Sequence, residues 1–413
     1  MLIMSPDPFA AWQIRDFRFY IVGRLFFIIG LRMSLTVVSW WLYEVTHDPL
    51  AIGLIGLSEV IPAVGLALYA GHVIDTTERA GLLRKTMSVY ALTFLLIFLV
   101  STSLVQKHFS QHSWIFMVYL LMAVTGGIRA FTGSLYPAIL AQTVSADMLK
   151  NAVTLNSGVF LIAAIIGHSM GGFLIAVIGV QGALMVCFIL VVLSYLIIRK
   201  IGPKPVTKTN LAQSAWTSVQ EGLRFVFNTK ELLAAMTLDL FAVLFGGATA
   251  MVPAFSKDIL HVGPTGFGWL TAASDIGSML TIIGMTLRPI KSRQGIRLLY
   301  VVAGFGISII VFALSKNYIL SFIALMMSGM FDGVSTVVRG TISQIFTPHE
   351  IKGRVLSVNS IFINSSNELG QFESGFAAKL LGLVPSVVFG GSMTLIVVLL
   401  TWWKSPKLKK LEY

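Results

Sequence analysis

Charged residues and cysteine are both scarce in this sequence. Of 413 residues, 12% are charged, and the one cysteine, Cys187, stands inside an apolar run. A single cysteine excludes a disulfide framework and a thiolate metal cluster. The scarcity of charge, together with 56% hydrophobic residues and a mean hydropathy of +0.84, excludes the water-facing surface of an ordinary globular protein. These absences indicate a membrane protein.

Residue patterns that carry catalytic chemistry are also absent. The sequence has no phosphate-cradling glycine loop, no His-Glu-x-x-His and no Cys/His metal cluster. We therefore expect neither an enzyme nor a bound cofactor or metal. The first 18 residues contain two prolines and several charges before any long apolar stretch, so we expect no cleavable signal peptide.

Long apolar stretches are abundant. A bilayer core about 30 Å thick requires about 20 apolar residues per helical crossing. The stretches that can cross are 19–43, 51–74, 86–106, 114–142, 152–179, 182–198, 232–256, 265–287, 298–315, 318–346, 355–383 and 386–403. We therefore predict an all-α membrane protein with twelve transmembrane helices in two pseudo-symmetric six-helix bundles.

A polar interruption divides the apolar stretches into six and six. It runs over residues 199–230 and includes an amphipathic segment, Trp216 to Phe227, that is suited to a membrane surface. We therefore expect an N-terminal bundle over 1–198, a cytoplasmic linker over 199–230 and a C-terminal bundle over 231–413.

Two short motifs recur about half a chain apart. Gly71–Asp75 is echoed by Gly284–Arg288, and Gln142–Val153 is echoed by Gln344–Val355. Duplicated halves create an interface at a pseudo-symmetry axis, where transporters place their cargo site. The duplication therefore predicts a transporter with a cargo site near the middle of the membrane.

Basic residues outside the apolar stretches lie almost entirely on one side. Twenty-two Lys and Arg fall on the side of the N-terminus, against three on the other, Lys107, Lys257 and Lys316. By the positive-inside rule, both termini are expected in the cytoplasm and the protein in the cell (inner) membrane. Because the basic residues are spread over seven short loops and tails, the net charge of +12 does not indicate a nucleic-acid groove.

Eleven charged residues lie inside the apolar stretches, and each costs at least about 2.5 kcal/mol if it faces lipid. The basic ones are Arg24, Arg32, Arg129, Arg339 and Lys379, and the acidic ones are Glu59, Asp239, Asp275, Asp332, Glu368 and Glu373. Near mid-membrane the first half supplies cations and the second half anions. One hypothesis is that charge pairs between the halves close one conformation until cargo or a proton releases them. The alternative is that the charges only satisfy one another.

The eleventh stretch is the most polar. Asn364, Glu368, Gln371 and Gly375 share one helical face, with Asn367 beside it. Hydrogen bonds between helices explain Asn367, whereas Glu368 is a candidate for handling protons or cargo.

Spacing also yields expectations for four other residues. Asp332 and Arg339 are about two turns apart on one helix, so we expect no direct pair between them. Lys379 is expected to extend its amine toward the membrane surface. Small residues around His168 predict close helix packing.

The sequence resembles the major facilitator superfamily at several motifs. Its loop signature between helices 2 and 3 is matched by Gly71, Asp75, Arg79, Arg84 and Lys85. Glu78 stands where that signature has a glycine. Thr347–Asn359 and Ser366–Gly375 are similar to the enterobactin-exporter branch, and the similarity extends over about residues 9–400.

This resemblance implies a fold and a mechanism. Twelve helices, with the third, sixth, ninth and twelfth at the periphery, would work by alternating access, with export driven by inward proton movement. Arg129 then occupies the helix 4 position associated with proton coupling. Gly167, Gly171 and Gly172 resemble the antiporter motif of helix 5, with His168 in place of a proline.

Residues and resemblance together predict a secondary active transporter. It is expected to export a small amphipathic or anionic compound, siderophore or drug-like, by proton-coupled alternating access. The alternative is a lipid or lysolipid flippase of the same fold. A membrane-embedded enzyme or a sensor would need a catalytic pair or a soluble output domain, and the sequence offers neither. The expected partners are small-molecule cargo, protons and the bilayer, without nucleic acid, and the expected state is a monomer.

The candidate residues fall into three groups by role. Proton coupling or gating is assigned to Arg129, Asp239, Asp275, Asp332, Arg339, Glu368 and Glu373. The cargo cavity is assigned to Arg24, Arg32, Glu59, His168, Asn364, Asn367 and Gln371. The conformational loop motif is assigned to Gly71, Asp75 and Arg79.

Overall fold

Helices make up the regular structure of the protein. The computed structural model describes residues 10–204, 215–288, 292–348, 351–409 and 411–412, and within them it contains helices and no β-strand. The α-helices are α1 (Arg15–Thr46), α2 (Pro49–Thr76), α3 (Arg79–Val100), α4 (Ser103–His108), α5 (Gln111–Thr143), α6 (Ala146–Ile198), α7 (Ala215–Asn228), α8 (Lys230–Phe245), α9 (Val252–Ala254), α10 (Pro264–Leu287), α11 (Gln294–Leu314), α12 (Tyr318–Phe346), α13 (Lys352–Leu381), α14 (Leu383–Lys404) and α15 (Pro406–Lys409). The prediction of an all-α protein is confirmed.

Ten segments among the described residues are long and apolar enough to cross a membrane. One of them, α6, contains two of the predicted stretches, because its backbone turns at Gly179, where φ is +71°. Helix α13 is 30 residues long and coincides with predicted stretch 355–383, but it carries five charged residues and is not among the ten. Counting α13 and both parts of α6, the segments correspond to the twelve predicted stretches.

The seventh predicted stretch is not one continuous helix. After α8 the chain forms a 3₁₀ turn over Gly247–Met251, the short α9 and a π-helical turn. A Cβ on Gly246 would overlap the Phe305 ring, and one on Gly247 would overlap the Gly370 carbonyl. The two glycines therefore allow the broken segment to lie close against α11 and α13.

Contacts between residues divide the chain into two compact units. Unit 1 comprises Met1–Val37 and Gly65–Leu211, and unit 2 comprises Val38–Val64 and Ala212–Tyr413. The end of α1 and the start of α2 thus belong to the same unit as the second half of the chain. The linear domain boundaries expected from the sequence stay a prediction.

Close contact between α1 and α6 organises unit 1. A Cβ on Gly167 would lie 2.7 Å from the Arg32 Cβ and 2.8 Å from the Ile29 carbonyl oxygen, so glycine permits this approach. Farther along α6, Ser194 donates a hydrogen bond of 2.7 Å to the Gly23 carbonyl. The close packing predicted from small residues around His168 is confirmed.

Hydroxyl groups and glycines hold α10 against α12 in unit 2. Ser274, Ser278 and Thr281 donate hydrogen bonds of 3.2, 3.0 and 2.9 Å to carbonyls of α12. A Cβ on Gly277 or Gly329 would overlap the facing backbone. In a membrane, where apolar surfaces gain little by leaving lipid, such close packing and hydrogen bonding drive helix association.

The amphipathic segment predicted over 216–227 lies within α7. Its Glu221 forms an ion pair with Arg354 of α13, and Gly222 lies against the Arg354 backbone. Val226 is buried in an apolar cluster with residues of α8 and α13. The apolar face of α7 is therefore used inside unit 2, and its contact with the membrane surface stays a prediction.

Candidate functional site

Arg24 lies among aromatic side chains in unit 1. Its Nη1 donates a hydrogen bond of 2.9 Å to the Tyr20 hydroxyl, and its guanidinium lies 4.8 Å from the centre of the Tyr136 ring. Its Nε is buried and has no hydrogen-bond partner in the part of the chain that the structure describes. The Tyr20 hydroxyl is also 3.3 Å from Asn156 Oδ1. The Arg24 guanidinium therefore contacts a hydroxyl group and an aromatic ring, and that hydroxyl is in turn bonded to an amide oxygen.

Two further embedded arginines belong to unit 1. The guanidinium of Arg32, two turns along α1, lies 5.4 Å from the centre of the Phe160 ring on α6. Arg129 is seven residues before Tyr136 on α5, so the two share a helical face. Because all three are embedded cations of unit 1, we call Arg24, Arg32 and Arg129 the cationic cluster.

His168 is part of the interface between α1 and α6. It is buried, and its Nδ1 lies 2.6 Å from the Thr36 hydroxyl oxygen. A Cβ on Gly171, one turn farther along α6, would lie 3.2 Å from the Thr36 Cβ. The structure thus places His168 in helix packing, and its role in the cargo cavity stays a prediction.

Asp239, Arg339 and Asp332 form an ion-pair cluster in unit 2. Arg339 of α12 pairs with Asp239 of α8, and its other Nη lies 3.7 Å from Asp332. The expectation that Asp332 and Arg339 do not meet is wrong, because the long arginine side chain runs back along its own helix. Hydrogen bonds of 3.2 Å to the Ser335 carbonyl and 3.1 Å to the Thr336 hydroxyl hold it in that direction.

A small cavity opens beside this ion-pair cluster. It measures about 10 Å³, room for about one water molecule. Its lining consists of Asp239, Asp332, Ser335, Ala242, Val243, Val302, Phe305 and Phe331. The Ser335 hydroxyl is buried and unpartnered among the described residues.

The two carboxylates of the cluster differ in exposure. The exposed fraction of the side chain is 45% for Asp332, 12% for Arg339 and 8% for Asp239. An ionised carboxylate is costly in contact with lipid, so the open side of Asp332 is expected to meet water. Two carboxylates that differ in exposure and share one guanidinium are suited to binding and releasing a proton.

The polar face predicted on α13 packs partly against α2 inside unit 2. Gln371 donates a hydrogen bond of 3.2 Å to the Ile52 carbonyl. Gly375 approaches so closely that its Cβ would lie 2.8 Å from the Gly53 Cα. Asn367 donates a hydrogen bond of 3.0 Å to the Ile363 carbonyl of its own helix. The hydrogen bond that we expected between helices is therefore made within α13. The Asn364 side chain lies outside the described residues.

The remaining embedded acids also lie in unit 2. Glu59 is buried, and Asp275, Glu368 and Glu373 are partly buried. Gly56 of α2 faces the Glu368 backbone, where a Cβ would lie 2.6 Å from the carbonyl oxygen. Their assignments to coupling, gating or cargo binding stay predictions.

Sequence reasoning missed a polar cluster where α1 ends and α2 begins. Three pairs form it inside unit 2: Tyr43 with Asp258, Glu44 with Lys257 at 3.8 Å, and Asp48 with Lys379 at 2.7 Å. We call it the α1–α2 clasp. The expected extension of the Lys379 amine toward the membrane surface stays a prediction, and the structure adds a partner for it, Asp48. Acids and lysines at the ends of neighbouring stretches were the available signal.

The loop motif lies at the junction of α2 and α3 in unit 1. Gly71 and Asp75 are in the last turns of α2, and Arg79 is the first residue of α3. Asp75 is exposed, and a Cβ on Gly71 would meet nothing within 4 Å. The conformational role of the three residues stays a prediction.

Glu78, where the loop signature has a glycine, caps α3. It accepts hydrogen bonds from the backbone N–H groups of Ala80 at 2.9 Å, Gly81 at 2.6 Å and Lys204 at 2.7 Å. Burial opposes ionisation of Glu78, but these hydrogen bonds outweigh it and lower the pKa of the carboxyl. The Lys204 amine also pairs with Asp16 at 2.7 Å. Glu78 therefore ties the chain after α6 to the start of α3.

The embedded acids are separated more completely by the two units than by the two halves of the sequence. All six embedded acids lie in unit 2, because Glu59 belongs to it. Unit 1 contains the cationic cluster and, by sequence, no Asp or Glu within its apolar stretches. The embedded charges of unit 1 are therefore all positive, whereas unit 2 contains six acids and the two basic residues Arg339 and Lys379.

Comparison with known families gives a match over nearly the whole chain. The family described as transmembrane secretion effector, within the major facilitator superfamily, matches residues 6–412. A multidrug efflux pump, Tap of Mycolicibacterium fortuitum, is 24% identical over 378 residues, covering 86% of this chain and 87% of the pump. A staphyloferrin A transporter of Staphylococcus aureus is 22% identical over 389 residues, covering 91% and 93%. The enterobactin-exporter branch is not confirmed.

Solved structures of transporters share the fold. A D-xylose–proton symporter aligns with a TM-score of 0.75 at 14% identity, covering 97% of this chain and all of that one. A point mutant of the nucleoside transporter NupG aligns with a TM-score of 0.71 at 15% identity, covering 94% of this chain and 99% of the other. The predicted major facilitator architecture is thereby confirmed.

Proposed function

Because the chain belongs to the transmembrane secretion effector family of the major facilitator superfamily, we propose that it exports a small amphipathic or anionic compound in exchange for protons. The family and its relatives are transporters and not enzymes. Two of those relatives are described as a multidrug efflux pump and a siderophore transporter, which supports a siderophore or drug-like cargo. The comparisons do not favour the flippase alternative.

The proposal of proton coupling is based on the cluster of Asp239, Arg339 and Asp332. Arg339 pairs directly with one carboxylate, and it lies 3.7 Å from the second. When Asp332 binds a proton, Arg339 pairs with Asp239 alone. When Asp332 releases the proton, both carboxylates compete for the one guanidinium, so the charge balance of the cluster changes with each proton.

The proton gradient supplies enough free energy for export. One proton gains about 2.3 kcal/mol per 100 mV and about 1.4 kcal/mol per tenfold concentration ratio. Both terms together support a cargo gradient of about 500-fold at an exchange of one proton per cargo molecule.

Alternating access requires a contact that opens on one side, and the α1–α2 clasp is our candidate. Its pairs join the ends of α1 and α2 to residues more than 200 positions away along the chain, such as Tyr43 to Asp258. Surface ion pairs of this kind are individually weak, so they permit repeated opening. We propose that the clasp is broken when the transporter opens on the side opposite its N-terminus.

Other assignments from the sequence belong to the same proposal. Arg129, Asp275, Glu368 and Glu373 are kept as further coupling or gating candidates. Placement in the inner membrane with both termini cytoplasmic, and a monomeric state, complete it.

Purified protein in liposomes tests proton coupling. A panel of fluorescent dyes, siderophores and lysolipids is screened for flux, with and without an imposed pH gradient. Asp332→Asn and Asp239→Asn are compared with Asp147→Asn, which changes an exposed carboxylate in the first turn of α6. We expect the gradient to accelerate flux in the parent and in Asp147→Asn, but not in Asp332→Asn. Cargo flux in the parent that ignores the gradient contradicts the proposal.

A further inference from the structure

The cationic cluster of unit 1 carries chemistry beyond proton exchange. We propose that Arg24 and Arg32 form a subsite for the carboxylate of an amphipathic cargo that contains an aromatic ring. This inference rests on the proposed function and narrows its cargo to one chemical class.

The charge balance of unit 1 is the first argument. Its apolar stretches contain Arg24, Arg32 and Arg129 and no Asp or Glu. A cation inside a membrane is costly unless an anion or polar groups compensate it. An anionic cargo supplies the opposite charge that the membrane part of this unit lacks.

Guanidinium chemistry is the second argument. Arginine offers five N–H donors in a planar fork that matches a carboxylate in a bidentate way. At Arg24 one donor is used by Tyr20, whereas Nε is buried and unpartnered in the described part of the chain. The hydrogen-bonding capacity of Arg24 is therefore not exhausted by its protein neighbours.

The aromatic rings beside the arginines supply the third argument. Tyr136 lies 4.8 Å from the Arg24 guanidinium and Phe160 lies 5.4 Å from that of Arg32. Each ring holds the flat face of its guanidinium, which leaves the N–H edges for an anion. The Tyr136 ring is buried, whereas the Phe160 ring is partly exposed and offers apolar surface to a cargo ring. The subsite therefore combines a bidentate anion contact with a place for an aromatic group.

Binding to matched compounds tests the subsite independently of transport. The probes are 2-naphthoate, the neutral 2-naphthamide and the cationic 2-naphthylmethylamine, measured by equilibrium dialysis against protein in nanodiscs with empty nanodiscs as the blank. The variants are Arg24→Gln, Arg32→Gln and the double variant. The matched control is Arg15→Gln, because Arg15 also lies on α1 beside an aromatic ring, that of Phe19 at 5.5 Å, but is exposed outside the apolar stretch.

We expect the parent and Arg15→Gln to bind the carboxylate at least about tenfold more tightly than the amide, as a charge-assisted hydrogen-bond pair predicts. In Arg24→Gln and Arg32→Gln this preference is expected to shrink, and in the double variant to disappear. A change that merely loosens the fold would weaken all three probes alike. Equal binding of carboxylate and amide to the parent, or a preference that survives in the double variant, overturns the inference.

A transport measurement separates this inference from the proposed function. If the parent exports the amine with the pH gradient and does not prefer the carboxylate, the export function stands and the carboxylate subsite is wrong. If the carboxylate binds selectively but no probe moves with the gradient, the subsite stands and proton-coupled export is wrong.

Discussion

The two units of this protein solve the problem of charge in a membrane in different ways. In unit 2, Arg339 is balanced directly by Asp239 and lies near Asp332. In unit 1, Arg24 and Arg32 rest on hydroxyl groups and aromatic rings. A balanced cluster is sensitive to the protonation of its acids, whereas an unbalanced cationic region attracts an external anion. We therefore propose that unit 2 handles protons and that unit 1 recognises cargo.

The largest expected effect distinguishes the two arginine environments. Arg339→Gln leaves Asp239 buried without its cation, so we expect a loss of about 3–5 kcal/mol in the free energy of unfolding. Arg24→Gln is expected to cost far less, because the membrane part of unit 1 has no acid to leave unpaired. Denaturant unfolding in detergent measures both.

Two controls accompany this measurement. Arg293→Gln breaks an exposed pair with Glu412 at 4.0 Å and is expected to change little. Asp239→Asn combined with Arg339→Gln should recover part of the lost stability, since the buried charge is removed. If Arg339→Gln is as stable as Arg293→Gln, the balanced cluster does not stabilise unit 2.

The next effect in size is the loss of stability when helix packing is disturbed in either unit. Gly329→Ala forces a Cβ into the Ser274 backbone, and Gly167→Ala places one 2.7 Å from the Arg32 Cβ. We expect each to cost about 1–3 kcal/mol, with the larger loss at Gly329, because its Cβ would overlap the Ser274 carbonyl oxygen, whereas a Cβ on Gly167 would lie 2.7 Å or more from its neighbours. Thermal unfolding compares them with Gly284→Ala and Gly158→Ala, where a Cβ meets nothing within 4 Å. Equal midpoints for all four variants would contradict the close packing.

The α1–α2 clasp should show a still smaller effect on stability. Lys379→Gln removes the 2.7 Å pair with Asp48, whose exposed side chains limit its contribution to less than about 1 kcal/mol. Hydrogen exchange of backbone amides around Asp48 is expected to become faster. Lys316→Gln, an exposed lysine on the same predicted side, serves as the control. Unchanged exchange in Lys379→Gln would show that the pair does not restrain α1 and α2.

The smallest effect concerns pH at Glu78. Because its pKa is lowered in the folded protein, its contribution to stability is present above the ordinary value of 4.5 and is lost as the pH falls through the lower folded value. We expect exchange of the Lys204 amide to accelerate in acid, and Glu78→Gln to exchange quickly at neutral pH as well. Glu221→Gln, which changes an acid in unit 2, should leave the Lys204 amide unaffected. A Lys204 amide that is equally protected in the parent and in Glu78→Gln would contradict the cap.

Much of the fold was accessible from the sequence. Hydrophobic stretches alone located α10 to within one residue, since 265–287 was predicted and Pro264–Leu287 is observed. The cost of charge in lipid singled out the embedded residues that form the cluster at Asp239.

The remainder depends on side-chain paths and on contacts between distant segments. Spacing along one helix could not show that Arg339 folds back to Asp332, because spacing measures backbone positions only. Nothing local to Glu59 indicates that it belongs with the second half of the chain, and nothing local to Tyr43 indicates Asp258. These contacts follow from tertiary packing.

The division of labour between the units is tested most directly by measuring naphthoate affinity and gradient-driven naphthoate flux in the same two variants. Asp332→Asn is predicted to keep the parent's affinity within about twofold and to lose the acceleration by the pH gradient. Arg24→Gln, which keeps Arg32, is predicted to bind naphthoate severalfold more weakly and to keep its response to the gradient once the cargo concentration is raised. If Asp332→Asn weakens binding while Arg24→Gln abolishes coupling, the assignment of roles to the two units is wrong.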